Sequence, residues 1–308
     1  MLTYCVVNTS QRELLMRGLD AVARERERAP FPTATLVLDN GSADGSAEAV
    51  RARRDADRIQ LIALPRRRGK AANDSELMRR TRTRYCLLLN EDSELQPGAS
   101  EALVGALEAD PGAACASAQL LTPDGDPRPC AWRFPGIRTA LAGTLFLHRH
   151  YTVQRAGRVD WAQSSALLVR CCAAEQVGWM DAAFFVYSDE VDFQKRLHVA
   201  GWHTLLVAEA RAIHHEQLAT ASAASSARRI VQLARGRDRY VRKHHGAFAA
   251  WAVRWLTAWP YALRALAALV LPGHEPQRYW RHVAATLRPQ RGVGLEEGAE
   301  TQGERADA

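Results

Sequence analysis

The chain has 308 residues, enough for one large domain with an appendage or for two modest domains. Apolar residues make up 47 %, which can fill a sizeable core, and 41 basic against 34 acidic residues give a charge of +7 and a pI near 9.3, favouring anionic partners. The six cysteines form no C-x-x-C pair and no metal-ligand spacing, so free thiols in a reducing compartment are expected.

Residues 2–7 read as a first strand that follows Met1 with no secretory leader, and 13–28 as a helix with Leu14, Leu15, Leu19 and Val22 on one face. Residues 35–38 form a second buried strand that opens into the turn-rich loop 39–46, with a helix over 47–54. A third strand spans 59–64 and a short helix 73–80. Residues 85–89 are a nearly continuous apolar run, the pattern of a strand buried on both faces, and it ends in Asn90-Glu91-Asp92. A helix over 100–109, capped by Ser100, and a strand over 115–121 follow. Residues 128–157 look irregular, and loops of that length tend to carry function or disorder. After Val159-Asp160-Trp161 come a buried strand at 166–169, a helix ending near Gly178, and an aromatic run, 184–187, that delivers Asp189, Glu190 and Asp192 into a helix opening at Ser188. A last strand at 201–207 leads through 210–213 to His214-His215. Strands alternating with helices build a parallel, right-handed wound sheet, whose ligands lie outside the carboxyl ends of the strands.

The acids fall at those ends. Asp92 can ligate Mg²⁺ or Mn²⁺, hard cations that take one or two carboxylates and complete their shell with substrate phosphates; an acidic triplet after a strand can equally cap a turn. Asp39 sits at the tip of the second strand, where a carboxylate suits a base N–H or a ribose hydroxyl, or closes an Asx-turn. Among Asp189, Glu190 and Asp192 one carboxylate can face the site as a base while another caps or pairs. His214-His215 is a candidate metal-ligand pair. Neither G-x-G-x-x-G nor G-x-x-x-x-G-K-[ST] occurs, which argues against dehydrogenase and P-loop chemistry.

Five blocks then occur in order: 7–10 with 13–15, 37–46, 87–92, 184–192, and Gly201-Trp202 through His214-His215. Together they resemble the family 2 glycosyltransferases of GT-A fold, especially the bacterial rhamnosyltransferase-like branch, over residues 2–215. The resemblance implies that Asn8, Thr9, Asp39, Asn40, Gly69 and Asn73 bind the nucleotide, and that Asp92 and His214 hold Mg²⁺ or Mn²⁺. It implies a catalytic base in the pair Asp189-Glu190, with Glu190 at the family's base position and Asp189 as the alternative. Trp161, Ser164 and Asp192 fall on the acceptor side. Inverting transfer is implied, from a nucleotide-diphosphate sugar such as dTDP-rhamnose to a glycan or polyprenyl-linked acceptor in cell-envelope polysaccharide synthesis. The departures are Asn90 for the first acid of the D-x-D-type motif, the reversed order Asp189-Glu190, and Ser164-Ser165 where a glycine is usual. They keep a non-catalytic sugar-nucleotide binding module open, and a nucleotidyltransferase is the rival within the fold.

The C-terminal third reads as helix from about residue 228, with a basic cluster from Arg228 to Lys243. Residues 247–271 are apolar, but Arg254, Pro260 and Arg264 interrupt them, and Trp251, Trp255 and Trp259 recur every four residues. An interfacial helix pair and a helical appendage packed on the domain both fit. The expected organisation is a catalytic domain over 1–220, a helical extension over 221–290 that contacts membrane, and a disordered tail over 291–308. The protein is expected in the cytoplasm, peripheral on the inner membrane face, with no nucleic-acid partner.

Overall fold

A computed structural model describes residues 1–147, 152–153, 155–215, 223–271 and 275–297. The first half alternates as expected: β1 (Leu2–Asn8), α1 (Arg12–Arg28), β2 (Thr33–Asp39), α2 (Ser46–Arg51), β3 (Ile59–Ala63), α3 (Lys70–Arg80) and β4 (Tyr85–Asn90). These strands lie parallel in the order β3-β2-β1-β4. Tyr85 to Leu89 are all buried, as the continuous apolar run requires of a strand covered on both faces. The register brings Asn8 opposite Asp39 and Val7 opposite Asn90, so three strand tips end at one edge.

The sheet continues with β5 (Ser93–Leu95), α4 (Ala99–Ala109), β6 (Ala113–Leu121), β7 (Ala131–Trp132), α5 (Ile137–Thr144), β8 (Thr152–Val153), β9 (Gly157–Val159), β10 (Trp161–Ala162) and β11 (Ala166–Arg170). Then come α6 (Cys171–Gln176), α7 (Asp189–Val199), β12 (His203–His214), α8 (Ala223–Ala267) and α9 (Pro276–Leu287). β11 inserts antiparallel between β4 and β6, which makes the sheet mixed; β6 and β12 pair in parallel. α4 is capped from outside: the Glu25 carboxylate accepts the Gly98 and Ser100 N–H groups at 2.8 Å each, while the Ser100 hydroxyl accepts from Tyr4. Ser100 is therefore not the cap, because a buried carboxylate satisfies two orphan amides at once. The segment expected to be irregular holds α5 and short strands; residues 148–151 and 154 lie outside the described residues.

The helical extension is not a detached unit. Tyr240, Val241, Ala249, Ala250 and Val253 belong to the same buried cluster as Cys5, Leu38 and Leu88 of the central strands. α8 bends at Gly246, whose backbone (φ 84°, ψ 174°) is the extended left-handed conformation open to glycine. Residues 291–297, expected in a disordered tail, run back along α8: Glu297 pairs with Arg235 at 2.5 Å, and Gly292 abuts Val231. The expected boundary at 220 and the last residues, 298–308, lie outside the described residues. Among the described residues no helix is long and apolar enough to cross a membrane.

Candidate active site

Where β4 leaves the sheet, Asn90 donates its side-chain amide to Ser165 Oγ at 3.0 Å, and His214 Nε2 lies 3.3 Å from the same hydroxyl and 3.1 Å from Asp92 Oδ1. His214 is buried and its Nδ1 has no partner. The two histidines part company: His215 Nε2 turns to Glu94 Oε1 at 2.6 Å. Asp39 is buried at the tip of β2, one oxygen accepting from Asn8 Nδ2 at 2.8 Å and the other from the Ser42 N–H at 3.2 Å. Each oxygen keeps a lone pair for a ligand.

Between these tips and α8 lies a polar crevice of about 560 Å³. Thr9, Asn40, Asn73 and Asn90 line it, with Arg67, Arg68 and Lys70 on one side and Arg228 and Arg229 of α8 on the other. Asn40 is fully engaged: it accepts from Arg68 N–H at 2.7 Å and donates to the Arg68 carbonyl at 3.0 Å, fixing the basic loop. Burial works against the Lys70 ammonium, but Asp74, Asp189 and Glu190 outweigh it and hold the group above its usual pKa. Glu91, also in the wall, is pushed up to about 7, by burial first and by Asp92 second.

The acid loop meets the end of this crevice. Phe185, Val186 and Tyr187 line it, and Tyr187 (φ 67°) and Ser188 (φ 65°) both take left-handed backbone before α7 opens. Two glycines grip the loop. A methyl on Gly69 would lie 2.8 Å from the Phe185 carbonyl oxygen, which accepts the Lys70 N–H at 2.6 Å; a methyl on Gly236 would lie 2.6 Å from the Tyr187 carbonyl oxygen. Asp189 is fully buried, and burial first, then the charge and hydrogen bond of neighbouring Glu190, pushes its carboxyl well above the usual range. Glu190 is half-buried beside it. One fold position thus holds two adjacent carboxyls in opposed environments.

The family model for glycosyl transferase family 2 matches residues 5–182, more than half of the chain. The chain belongs to that family. It is a glycosyltransferase, similar to the N-acetylglucosaminyl-diphospho-decaprenol L-rhamnosyltransferase of Mycobacterium tuberculosis: 28 % identical over 227 residues, covering 67 % of this chain and 73 % of the relative. Its fold is GT-A. A mannosyltransferase from Pyrobaculum calidifontis in complex with GDP-Man and Mn²⁺ superposes with a TM-score of 0.59 at 16 % identity, covering 94 % of this chain and 85 % of that one. GalNAc-T7 with UDP, GalNAc and Mn²⁺ superposes with a TM-score of 0.57 at 12 % identity, covering 100 % and 57 %.

Several expected site residues make close contacts within this glycosyltransferase. Gly69 supplies a close approach of backbones. Asp192 is fully buried and bound by Arg196 Nε, Lys243 Nζ and His244 Nε2, each at 2.8 Å, so its carboxylate fastens α7 to α8. Ser164 is buried, and the hydroxyl that reaches the strand tips belongs to Ser165. Trp161 stacks on Trp132 at 4.7 Å, along a separate apolar cleft. Sequence reasoning passed over Arg67, Arg68 and Lys70; the run Arg66-Arg67-Arg68-Gly69-Lys70 just past a strand tip was the available signal.

The fit of a divalent cation can be judged on the donors. Among the described residues no group of three or more His, Cys, Asp or Glu side chains forms a cage. Asp92 and His214, beside the strand tip of Asn90, present an oxygen and a nitrogen 3.1 Å apart, a half-shell that suits Mg²⁺ or Mn²⁺ completed by substrate phosphates.

Proposed function

We propose that this glycosyltransferase moves rhamnose from dTDP-rhamnose, with inversion, to a saccharide carried on a polyprenyl diphosphate, working at the inner membrane face in cell-envelope polysaccharide synthesis. The observation that supports the reading is the crevice itself: arginines and a lysine on two walls, Asn40, next to Asp39 in the chain, in its lining, and Phe185, Val186 and Tyr187, the loop that leads into Asp189 and Glu190, lining it as well. The relative of known acceptor supplies the substrate class.

In the proposed reaction Glu190 takes the proton of the acceptor hydroxyl as its oxygen bonds to the anomeric carbon and the bond from that carbon to the diphosphate breaks. Burial pushes the Asp189 carboxyl up, so Asp189 holds its proton more readily than an exposed aspartate would. Asn8 and Ser42 aim the Asp39 carboxylate at the base or ribose. Lys70, Arg67, Arg68, Arg228 and Arg229 neutralise the departing nucleoside diphosphate. Asp92 and His214 would hold Mg²⁺ or Mn²⁺, which supplies Lewis-acid charge neutralisation at that diphosphate.

For the membrane, Phe248 is 75 % exposed and Trp251, Trp255 and Trp259 are each more than half exposed, one apolar stripe along α8. A panel of nucleotide sugars, incubated with a short-chain prenyl-diphosphate saccharide with and without Mn²⁺, tests the reading, the product anomer being assigned by NMR. Glu190→Gln is expected to lower turnover by about 10²-fold or more with donor affinity intact. Transfer with retention, or full activity in Glu190→Gln, would refute it.

A further inference from the structure

A second cleft, of about 290 Å³, lies between α5, the Trp132–Trp161 pair and the half of α8 beyond Gly246. Its floor is apolar: the stacked indoles, Ala140, Leu256 and Pro260. Three arginines, Arg133, Arg237 and Arg264, line it; Arg133 lies 3.9 Å from Asp160, and among the described residues no acidic side chain is in the lining itself. Arg264 stands over the rings of Phe146 and Tyr261, and Arg237 donates to Thr286, so both guanidiniums are held in place at the edge. Their field registers on His282, which stacks on Tyr261 and is drawn down to about 4, by burial first and then by Arg278, Arg237 and Arg264. A small apolar slot ringed by cations matches one chemistry, a hydrocarbon that begins in a diphosphate.

We propose that this cleft seats the diphosphate and first isoprene units of a polyprenyl-diphosphate acceptor. The proposal rests on the reading of the protein as a transferase to such an acceptor and adds where the lipid head is held. Trp161 opens β10, and four residues on Ser165 touches Asn90 and lies beside His214. An extended chain covers about 13 Å in four residues, so the cleft opens within one sugar-diphosphate length of the strand tips. The walls are tied rather than loosely apposed: Thr144 Oγ1 donates to the Leu256 carbonyl at 2.8 Å, and His245 Nε2 lies 3.1 Å from the Pro135 carbonyl oxygen. Outside the cleft the exposed Leu141 of α5, Leu145 just after it and the tryptophans of α8 give the rest of the hydrocarbon an apolar track.

The test measures binding of farnesyl diphosphate to the full chain by calorimetry, alongside inorganic diphosphate and farnesol. Two variants act on the cleft: Ala140→Trp fills it and Arg264→Glu reverses a charge at its edge. Farnesyl diphosphate should bind the wild type at least about tenfold more tightly than either half-molecule, and each variant should lose about tenfold, the effect of denying roughly two CH₂ groups their site or of losing a charge partner. Melting temperature and donor hydrolysis serve as controls, and both should stay at wild-type values. Equal affinity of wild type and both folded variants would overturn the assignment, as would equal affinity for farnesyl diphosphate and inorganic diphosphate. Absence of turnover with every nucleotide sugar would instead strike the proposed function. Donor turnover without farnesyl diphosphate binding would strike the cleft alone.

Discussion

Gly236→Ala isolates the grip of α8 on the acid loop. In an unobstructed helix Gly→Ala stabilises by roughly 0.8–1.0 kcal/mol. Gly105, in α4, is such a site: it is exposed, and an added methyl meets nothing within 4 Å, so Gly105→Ala should show that gain. At Gly236 the methyl would lie 2.6 Å from the Tyr187 carbonyl oxygen and 3.3 Å from Ser188 Oγ. The first of these is backbone, in a left-handed turn already held by the Lys70 N–H one residue-pair upstream, and it cannot swing away as a flexible side chain could. Overpacking of this kind costs about 1–3 kcal/mol, so after the helix gain the net change is about 0–2 kcal/mol of destabilisation. Each kcal/mol corresponds to a melting shift of about 2–4 °C at most for a chain this long. The larger effect should be catalytic: the turn carries Asp189 and Glu190, and a displacement on the order of 1 Å costs about 10²-fold in rate. Differential scanning fluorimetry and donor turnover on the two variants decide it. If Gly236→Ala melts above wild type by the same increment as Gly105→Ala and turns over normally, the contact does not position the loop.

Asp92→Ala should abolish the Mn²⁺ dependence of nucleotide-sugar affinity measured by calorimetry; identical affinities with and without Mn²⁺ in the wild type would remove Asp92 from that role. Because the folded protein raises the Asp189 pKa, this group's contribution to stability is fully present below about pH 3.8 and is lost as pH rises, so Asp189→Asn should melt higher than wild type at pH 7 and no higher at pH 4. His282 runs the other way: its pKa falls to about 4, so its contribution is present above about pH 6.5 and is lost as pH drops towards 4. His282→Phe, which keeps the stack on Tyr261, should flatten the acid limb of the melting profile in that window. Replacing Trp251, Trp255 and Trp259 together with serine should end co-sedimentation with anionic vesicles at low salt while donor turnover persists; unchanged sedimentation would place the membrane contact elsewhere.

What could be read from the sequence follows from how local the signal is. The strand tips were legible because a strand buried on both faces must be a continuous apolar run, and the polar residues that end it, Asn8, Asp39 and Asn90, then mark where it leaves the sheet. The acid loop was legible as a position, since an aromatic run delivering acids into a helix is one short block, but the different environments of Asp189 and Glu190 come from α3 and α8, far away in the chain. Asp192 shows the limit most clearly. Two residues after Glu190 it looks like one more site acid, and only packing reveals that Lys243 and His244, some fifty residues on, have claimed it. Gly69, expected from the resemblance to bind the nucleotide, shows its contact with the Phe185 backbone only in the fold.

The same long-range contacts decide what the C-terminal helices are. A basic, tryptophan-rich helix at the end of a chain invites reading as an attachment that could be cut away. Here Arg228 and Arg229 wall the polar crevice, Gly236 bears on the turn that carries the acids, and Lys243 and His244 satisfy a carboxylate with no exposure to water. Stripping partners from a buried charge costs about 3–5 kcal/mol, a large part of the whole stability of a domain. The near half of α8, up to the bend at Gly246, is therefore packed into the same core as the central strands. The far half, which carries the exposed tryptophans and one wall of the second cleft, is the part that can face a lipid. The bend at Gly246 divides the helix: the near half lines the polar crevice and packs on the acid loop, and the far half carries the exposed tryptophans.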